Sequence, residues 1–271
     1  MNKVNYLLII LVLLVIIVIY LKKTPSGEGP GPQEAEKMVK SEEITISPLK
    51  TIELYEDAIL EMNQPDEYEN LPAGNINFSY EVINFKLGEK SKIPDINKLA
   101  TYSSGNHLTL ILNNKIRKAT IDPEFEYNLN AGQYVILSIL TGMNYVSVKS
   151  PDSFIIRQFS VGSQPKKEID LTGPNLFYHM PSGAFSGTET KNVLLDFYLV
   201  NCKLSPNDFQ IRATINGRTF MIRDWTPYLI HGLPYGETTV TLELLDKSGN
   251  PVVSQFHKVT QKVFLYEREP V

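Results

Sequence analysis

The sequence predicts an all-β body of two tandem β-sandwiches behind one N-terminal transmembrane helix. Three observations predict it. The chain opens on eighteen uncharged, mostly aliphatic residues, 4–21. From about residue 51 apolar and polar residues alternate with a period of two, in runs of five to eight bounded by Gly, Pro, Asn or Asp. The second half then repeats strings of the first.

The N-terminal run, VNYLLIILVLLVIIVIYL, has the length of a bilayer-spanning helix, at about 1.5 Å of rise per residue against a hydrocarbon core of about 30 Å. Tyr6 and Tyr20 mark its ends, and Lys3, Lys22 and Lys23 bracket it. A cleaved signal peptide needs small residues after the apolar run, whereas here Ile19-Tyr20-Leu21-Lys22-Lys23 follows. Residues 1–23 are therefore expected to be an uncleaved, single-pass anchor in a bacterial membrane, with the folded body in the periplasm. Residues 24–43 hold no aromatic residue, and three prolines and three glycines fall in positions 24–32. Such a segment cannot build a core, so 24–51 reads as a linker.

Alternation runs through Ile76, Phe78, Tyr80 and Val82, then Leu108, Leu110 and Leu112, then Val135, Leu137 and Ile139. It returns in Val193, Leu195, Phe197 and Leu199, and in Val240, Leu242 and Leu244. Residues 52–62 are the nearest candidate for a helix, but no stretch after residue 50 keeps a helical period for three turns. Asn216-Gly217, between two apolar runs, predicts a tight hairpin, and Asn113-Asn114 is its counterpart. Residue 81 matches 198, 110 matches 213 and 129 matches 233, so the offsets are 117, 103 and 104. An insertion around 88–104 accounts for the larger one. Two copies of about 100 residues are each the size of one immunoglobulin-like sandwich. The expected organisation is a first sandwich domain over 52–162, a linker over 163–171 and a second over 172–271. Val82 and Leu199 should be equivalent, as should Asn113 and Asn216. Tyr134 is placed for the hydroxyl-to-backbone corner contact of such folds.

The stretch 194–251, with LLDFYLVN, ATINGRTF, WTPYLIHGLPYGE and LELLDKSGNP, resembles a family of uncharacterised two-domain envelope proteins of Bacteroidetes-type bacteria, sometimes labelled phosphopeptide-binding. The resemblance extends over roughly 60–265. It implies a histidine cluster in the first half, of which His107 alone remains here. A forkhead-type phosphopeptide site would need a Ser-x-x-His element after Gly217-Arg218, and none follows.

Composition narrows the function. Lys and Arg number 26 against 30 Asp and Glu; without residues 1–23 the balance is 23 against 30. A net negative body argues against a nucleic-acid binder. The single cysteine, Cys202, excludes an internal disulfide and multi-cysteine metal sites. His107, His179, His231 and His257 show no i,i+2 or i,i+4 pairing. No nucleophile elbow and no phosphate-binding glycine loop is present. The sequence therefore predicts no enzyme, catalytic residue, metal or cofactor. It predicts a membrane-tethered binding or scaffold module, contacting the bilayer through 4–21 and another envelope or membrane protein through its body. Trp225, Tyr228 and Tyr235 are the candidate contact residues, as aromatics around a loop. A copper- or zinc-handling or redox-accessory protein is one alternative; a hydrolase with dispersed carboxylates is another.

Overall fold

The computed structural model describes residues 43–49, 55–90, 98–162 and 168–268. The expected anchor at 4–21 lies outside them. Among the described residues the regular structure is strand, apart from one 3-10 turn at Gly187–Thr190, and no helix is long and apolar enough to cross a membrane. Glu42–Val271 is one compact unit.

The strands in chain order begin with β1 (Thr45–Pro48) and β2 (Ile59–Gln64), then β3 (Asn70–Leu71) and β4 (Gly74–Ile83). Next come β5 (His107–Leu112), β6 (Ile116–Thr120), β7 (Glu124–Leu129), β8 (Gly132–Thr141) and β9 (Phe154–Val161). The second half supplies β10 (Asn175–Met180), β11 (Gly183–Ser186), β12 (Val193–Val200), β13 (Gln210–Ile215) and β14 (Arg218–Ile222). It ends with β15 (Tyr228–His231), β16 (Gly236–Leu245) and β17 (Lys258–Tyr266).

Sheet β2-β4-β7 packs on sheet β3-β9-β8-β5-β6 around Leu60, Ile76, Phe78, Leu110, Ile136 and Phe159. Sheet β1-β15-β12-β10 packs on β11-β17-β16-β13-β14 around Leu195, Phe197, Ala213, Leu242 and Val263. Both pairs share one wiring. Strand β2 pairs antiparallel with β4 as β10 does with β12, and each carries a bulge near its end. The short β3 runs parallel to β9 as β11 runs parallel to β17. Leu60 pairs with Val82 and Leu176 with Leu199, so Val82 and Leu199 occupy one register position, half-buried in the first case and buried in the second.

The two hairpin asparagines are held by the same pair of bonds. Asn113 accepts a hydrogen bond from the Val135 amide through Oδ1, and its own amide donates to the Val135 carbonyl. Asn216 makes the same two bonds with Thr239. Both asparagines have positive φ, the backbone that a tight hairpin demands. Tyr134 donates to the Asn130 carbonyl at 2.9 Å, the expected corner contact. Where the first half has Tyr134 the second has Thr238, and Tyr228 makes a similar bond to the Asp224 carbonyl at 3.3 Å.

Two features differ from the sequence expectation. Thr45–Pro48 falls in the expected linker but forms β1, paired with β15 of the second sandwich. Ile44 and Leu49 flank it and bury themselves in that sandwich's core. The physical reason is an apolar period of its own, Ile44-Ile46, that the spacer reading passed over. The second difference lies at the expected 163–171 linker. Gln158 binds both the amide and the carbonyl of Ile169 at 2.9 Å, and Ile169 and Leu171 pack on buried side chains. The end of this connection is therefore fixed to the body, because its backbone polar groups are satisfied by a buried amide.

Candidate functional site

Strands exposed on one face alternate in burial, as β4 and β13 do. Strands β5, β10 and β12 are buried at every position, and β8 from Tyr134 onward. Their second faces meet. Ile111, Val135, Leu137 and Ile139 of the first sandwich pack against Phe177, Tyr198 and Val200 of the second, with Phe256. The molecule is thus four sheets deep, with the inner two covered on both sides. The alternation expected through Leu108–Leu112, Val135–Ile139 and Val193–Leu199 therefore marks no wet face, because the positions between are covered as well.

One carboxylate sits in that interface. Asp196, in the run Val193-Leu-Leu-Asp-Phe-Tyr-Leu-Val200, is fully buried. Its Oδ1 accepts from the Lys149 ammonium at 2.7 Å. Its Oδ2 accepts from the Ser147 amide at 2.9 Å and from His179 Nδ1 at 3.0 Å. Lys149 and Ser147 belong to the β8–β9 loop, whereas Asp196 and His179 belong to β12 and β10, so the cluster ties the sandwiches together. Lys149 also donates to the Phe197 carbonyl at 3.0 Å and lies within 5.5–5.8 Å of the centres of the Phe197, Tyr198 and Trp225 rings. Burial by itself raises the Asp196 carboxyl; the Lys149 ammonium, then His179, outweigh it and hold it well below the usual carboxylate range. Burial pulls Lys149 and His179 down.

A second buried histidine stands at the rim. His107 is fully enclosed, between Tyr102 and Tyr145 at 4.4 and 5.4 Å between ring centres. Its Nδ1 lies 3.0 Å from the Gly105 carbonyl and so carries the proton, while Nε2 is buried with no partner. Burial holds its pKa down at about 4. Asn114 adds a neutral tie, donating to the Leu176 carbonyl and accepting from the Tyr178 amide, both at 2.8 Å.

The three predicted contact residues part company. Tyr235 is 60% exposed in the loop before β16. Tyr228 is buried, which corrects the expectation for it, and Trp225 is half-buried. Tyr228 begins a strand at an inward-facing position and is buried in the second sandwich. Trp225 is half-buried, donates to the Phe197 carbonyl at 3.2 Å and stands edge-on to Tyr198. Aromatics beside a loop are claimed by the nearest apolar surface, and here that surface is the interface.

The other candidate groups are also placed. His231 Nδ1 lies 3.0 Å from Asn192 Oδ1 and its Nε2 lies 2.9 Å from the Ser47 hydroxyl. The fold thus assembles a Ser–His–Asn chain from three separated segments, which no sequence motif announces. Ser47 lies on the edge strand β1, so the chain fastens that strand to β15. Burial pushes the Cys202 thiol up to about 12, leaving it protonated at neutral pH. Among the described residues no three His, Cys, Asp or Glu side chains group as metal ligands.

No protein-family model and no curated protein matches the chain. Among solved structures it is similar to fibronectin(III)-like modules of Clostridium thermocellum CbhA, at 13% identity over 77% of this chain and 95% of that one, with a TM-score of 0.27. It is also similar to the Bacteroides ovatus mixed-linkage glucan utilisation protein SGBP-B, at 16% identity over 76% of this chain and 47% of that one, with a TM-score of 0.23. The two tandem V-type regions of VCBP3, a chitin-binding protein, share 6% identity over 77% of this chain and 99% of that one, with a TM-score of 0.22. Superposition this loose assigns neither relationship nor ligand. The all-β sandwich architecture stands on the sheets and cores described above.

Proposed function

We propose that this chain is a membrane-tethered, extracytoplasmic binding or scaffold module built of two tandem immunoglobulin-like domains. Residues 4–21 serve as the uncleaved anchor, the body stands in the periplasm, and the partner is another envelope or membrane protein. The observation that carries the reading is the placement of Tyr235. A large aromatic stands in solvent at a loop where the first repeat has Ala131, so folding does not require it. Tyrosine contributes broad contact area and a polar tip, and central aromatics dominate binding energy in many interfaces. A body locked across its inner sheets presents such a loop at fixed geometry, which lowers the ordering cost of binding.

The test is recovery of partners from detergent-solubilised membranes with the full chain as bait. Tyr235→Ala should keep the melting temperature and reduce recovery at least about tenfold, the effect of losing more than ~1.4 kcal/mol. Undiminished recovery removes this loop from the interface. The tether is tested separately: the mature protein should begin near Met1 and stay with membranes after a carbonate wash. A mature start beyond Leu21 rejects the anchor.

A further inference from the structure

We propose that the interface between the two inner sheets is an acid-operated latch, held closed only while His107 and His179 are both uncharged. His179 is 1% and His107 0% exposed; His179 is enclosed where the sandwiches meet, and His107 stands at the rim of that contact, on the same face of β5 as Ile111. The groups facing them are mostly cationic or neutral. His179 is bonded to Asp196, but Lys149 already claims that carboxylate, and Arg117 of β6 lies near. Arg117 is held over the Tyr178 ring, and its Nη1 is buried without a partner. His107 packs between Tyr102 and Tyr145 and is repelled at longer range by a charge on His179, as the Tyr145 phenolate would be by Glu189 of the second sandwich. A proton on His107 Nε2 would find no acceptor, and one on His179 would add a second cation to the carboxylate that Lys149 already neutralises, with the Arg117 charge also opposing it.

The sign follows from linkage. Each histidine has a lower pKa closed than open, so opening takes up protons. Closure is fully favoured above about pH 6.5, the pKa of an unburied histidine, and weakens as pH falls toward the closed-state value. With His107 at about 4 when closed, the opening constant rises about twentyfold between pH 7 and pH 5 through that residue alone. His179 shifts in the same direction and adds to it. Asp196 does not oppose them in this window: its closed-state carboxyl lies below the ordinary value, so its contribution is lost only as pH falls below about 4.

The experiment uses the full chain with Cys202→Ser and a single new thiol at Thr109→Cys, a buried position on the same face of β5 as Ile111. Its labelling rate by a methanethiosulfonate, divided at each pH by that of a free model thiol, reads opening. It should rise at least about twentyfold from pH 7 to pH 5 and fall back on neutralisation. A matched thiol at Val161→Cys, inside the first sandwich core, should stay unchanged. His107→Phe together with His179→Asn should flatten the response. A normalised rate at Thr109→Cys that is equal at the two pH values overturns the latch, as does an equal rise at Val161→Cys or a rise that survives the double substitution. If that double variant does not fold, the first two comparisons still decide.

Discussion

Asp196 shows what one residue decides in this molecule. It occupies the position that Ser79 holds in the first repeat, in an otherwise apolar strand, and its charge is supportable only because Lys149 and Ser147 arrive from the other sandwich. Replacing it by alanine leaves the Lys149 ammonium buried without its partner, and Lys149→Met strands the carboxylate. Each should cost about 3–5 kcal/mol in denaturant unfolding, and the double variant Lys149→Met/Asp196→Leu less than the sum of the two. Additive losses would mean that the pair is not coupled. Gly105 offers a second residue-scale test. At φ +93° a Cβ here would lie 2.6 Å from the Glu89 carbonyl oxygen and 2.8 Å from that of Gly88. Gly105→Ala should therefore destabilise by at least about 1–3 kcal/mol and disturb the carbonyl that holds His107. A melt unchanged from the parent contradicts this. The sequence marked Tyr134 and Asn216 correctly because their roles are local, a hydroxyl or amide closing a turn on its own neighbourhood. It misplaced Tyr228, whose burial depends on surface delivered by other strands.

At the scale of elements, β1 is the one whose place local pattern could not give. Four residues pair with β15, Ser47 is bonded to His231, and Ile44, Ile46 and Leu49 pack on the second sandwich although the first follows next in the chain. Short strands take their partner from whatever edge is open, and sequence distance does not specify it. Ile44→Asp should release β1, which hydrogen exchange at Leu229–His231 would register while the β8 and β9 amides stay protected. Equal exchange in both would mean that β1 contributes nothing separate. By contrast, the strands β4, β13 and β16 were readable because one face is wet and alternation survives. The strands around Leu110, Leu137 and Leu195, expected to alternate, are apolar at nearly every position, the mark of a strand covered on both faces. An Asp inside such a run calls for a cation from elsewhere, and that is the clue that finds Lys149.

For the whole molecule, the buried contact between the inner sheets predicts joint unfolding. Calorimetry at pH 7 should give one transition for the body, and Asp196→Ala should split it or broaden it into two. Two transitions in the parent would show sandwiches that melt independently. By itself the sequence determined the all-β class, the hairpins at Asn113 and Asn216 and the spacing of most strands. These follow from short-range sterics and from alternation, which are properties of contiguous residues. Only the tertiary structure decided that the sandwiches lock face to face, that β1 crosses to the second of them, and that Lys149, His179 and Asp196 share one buried site. Those outcomes depend on which surfaces meet after the strands have formed, and residues tens of positions apart become neighbours only when apolar faces exclude water between them.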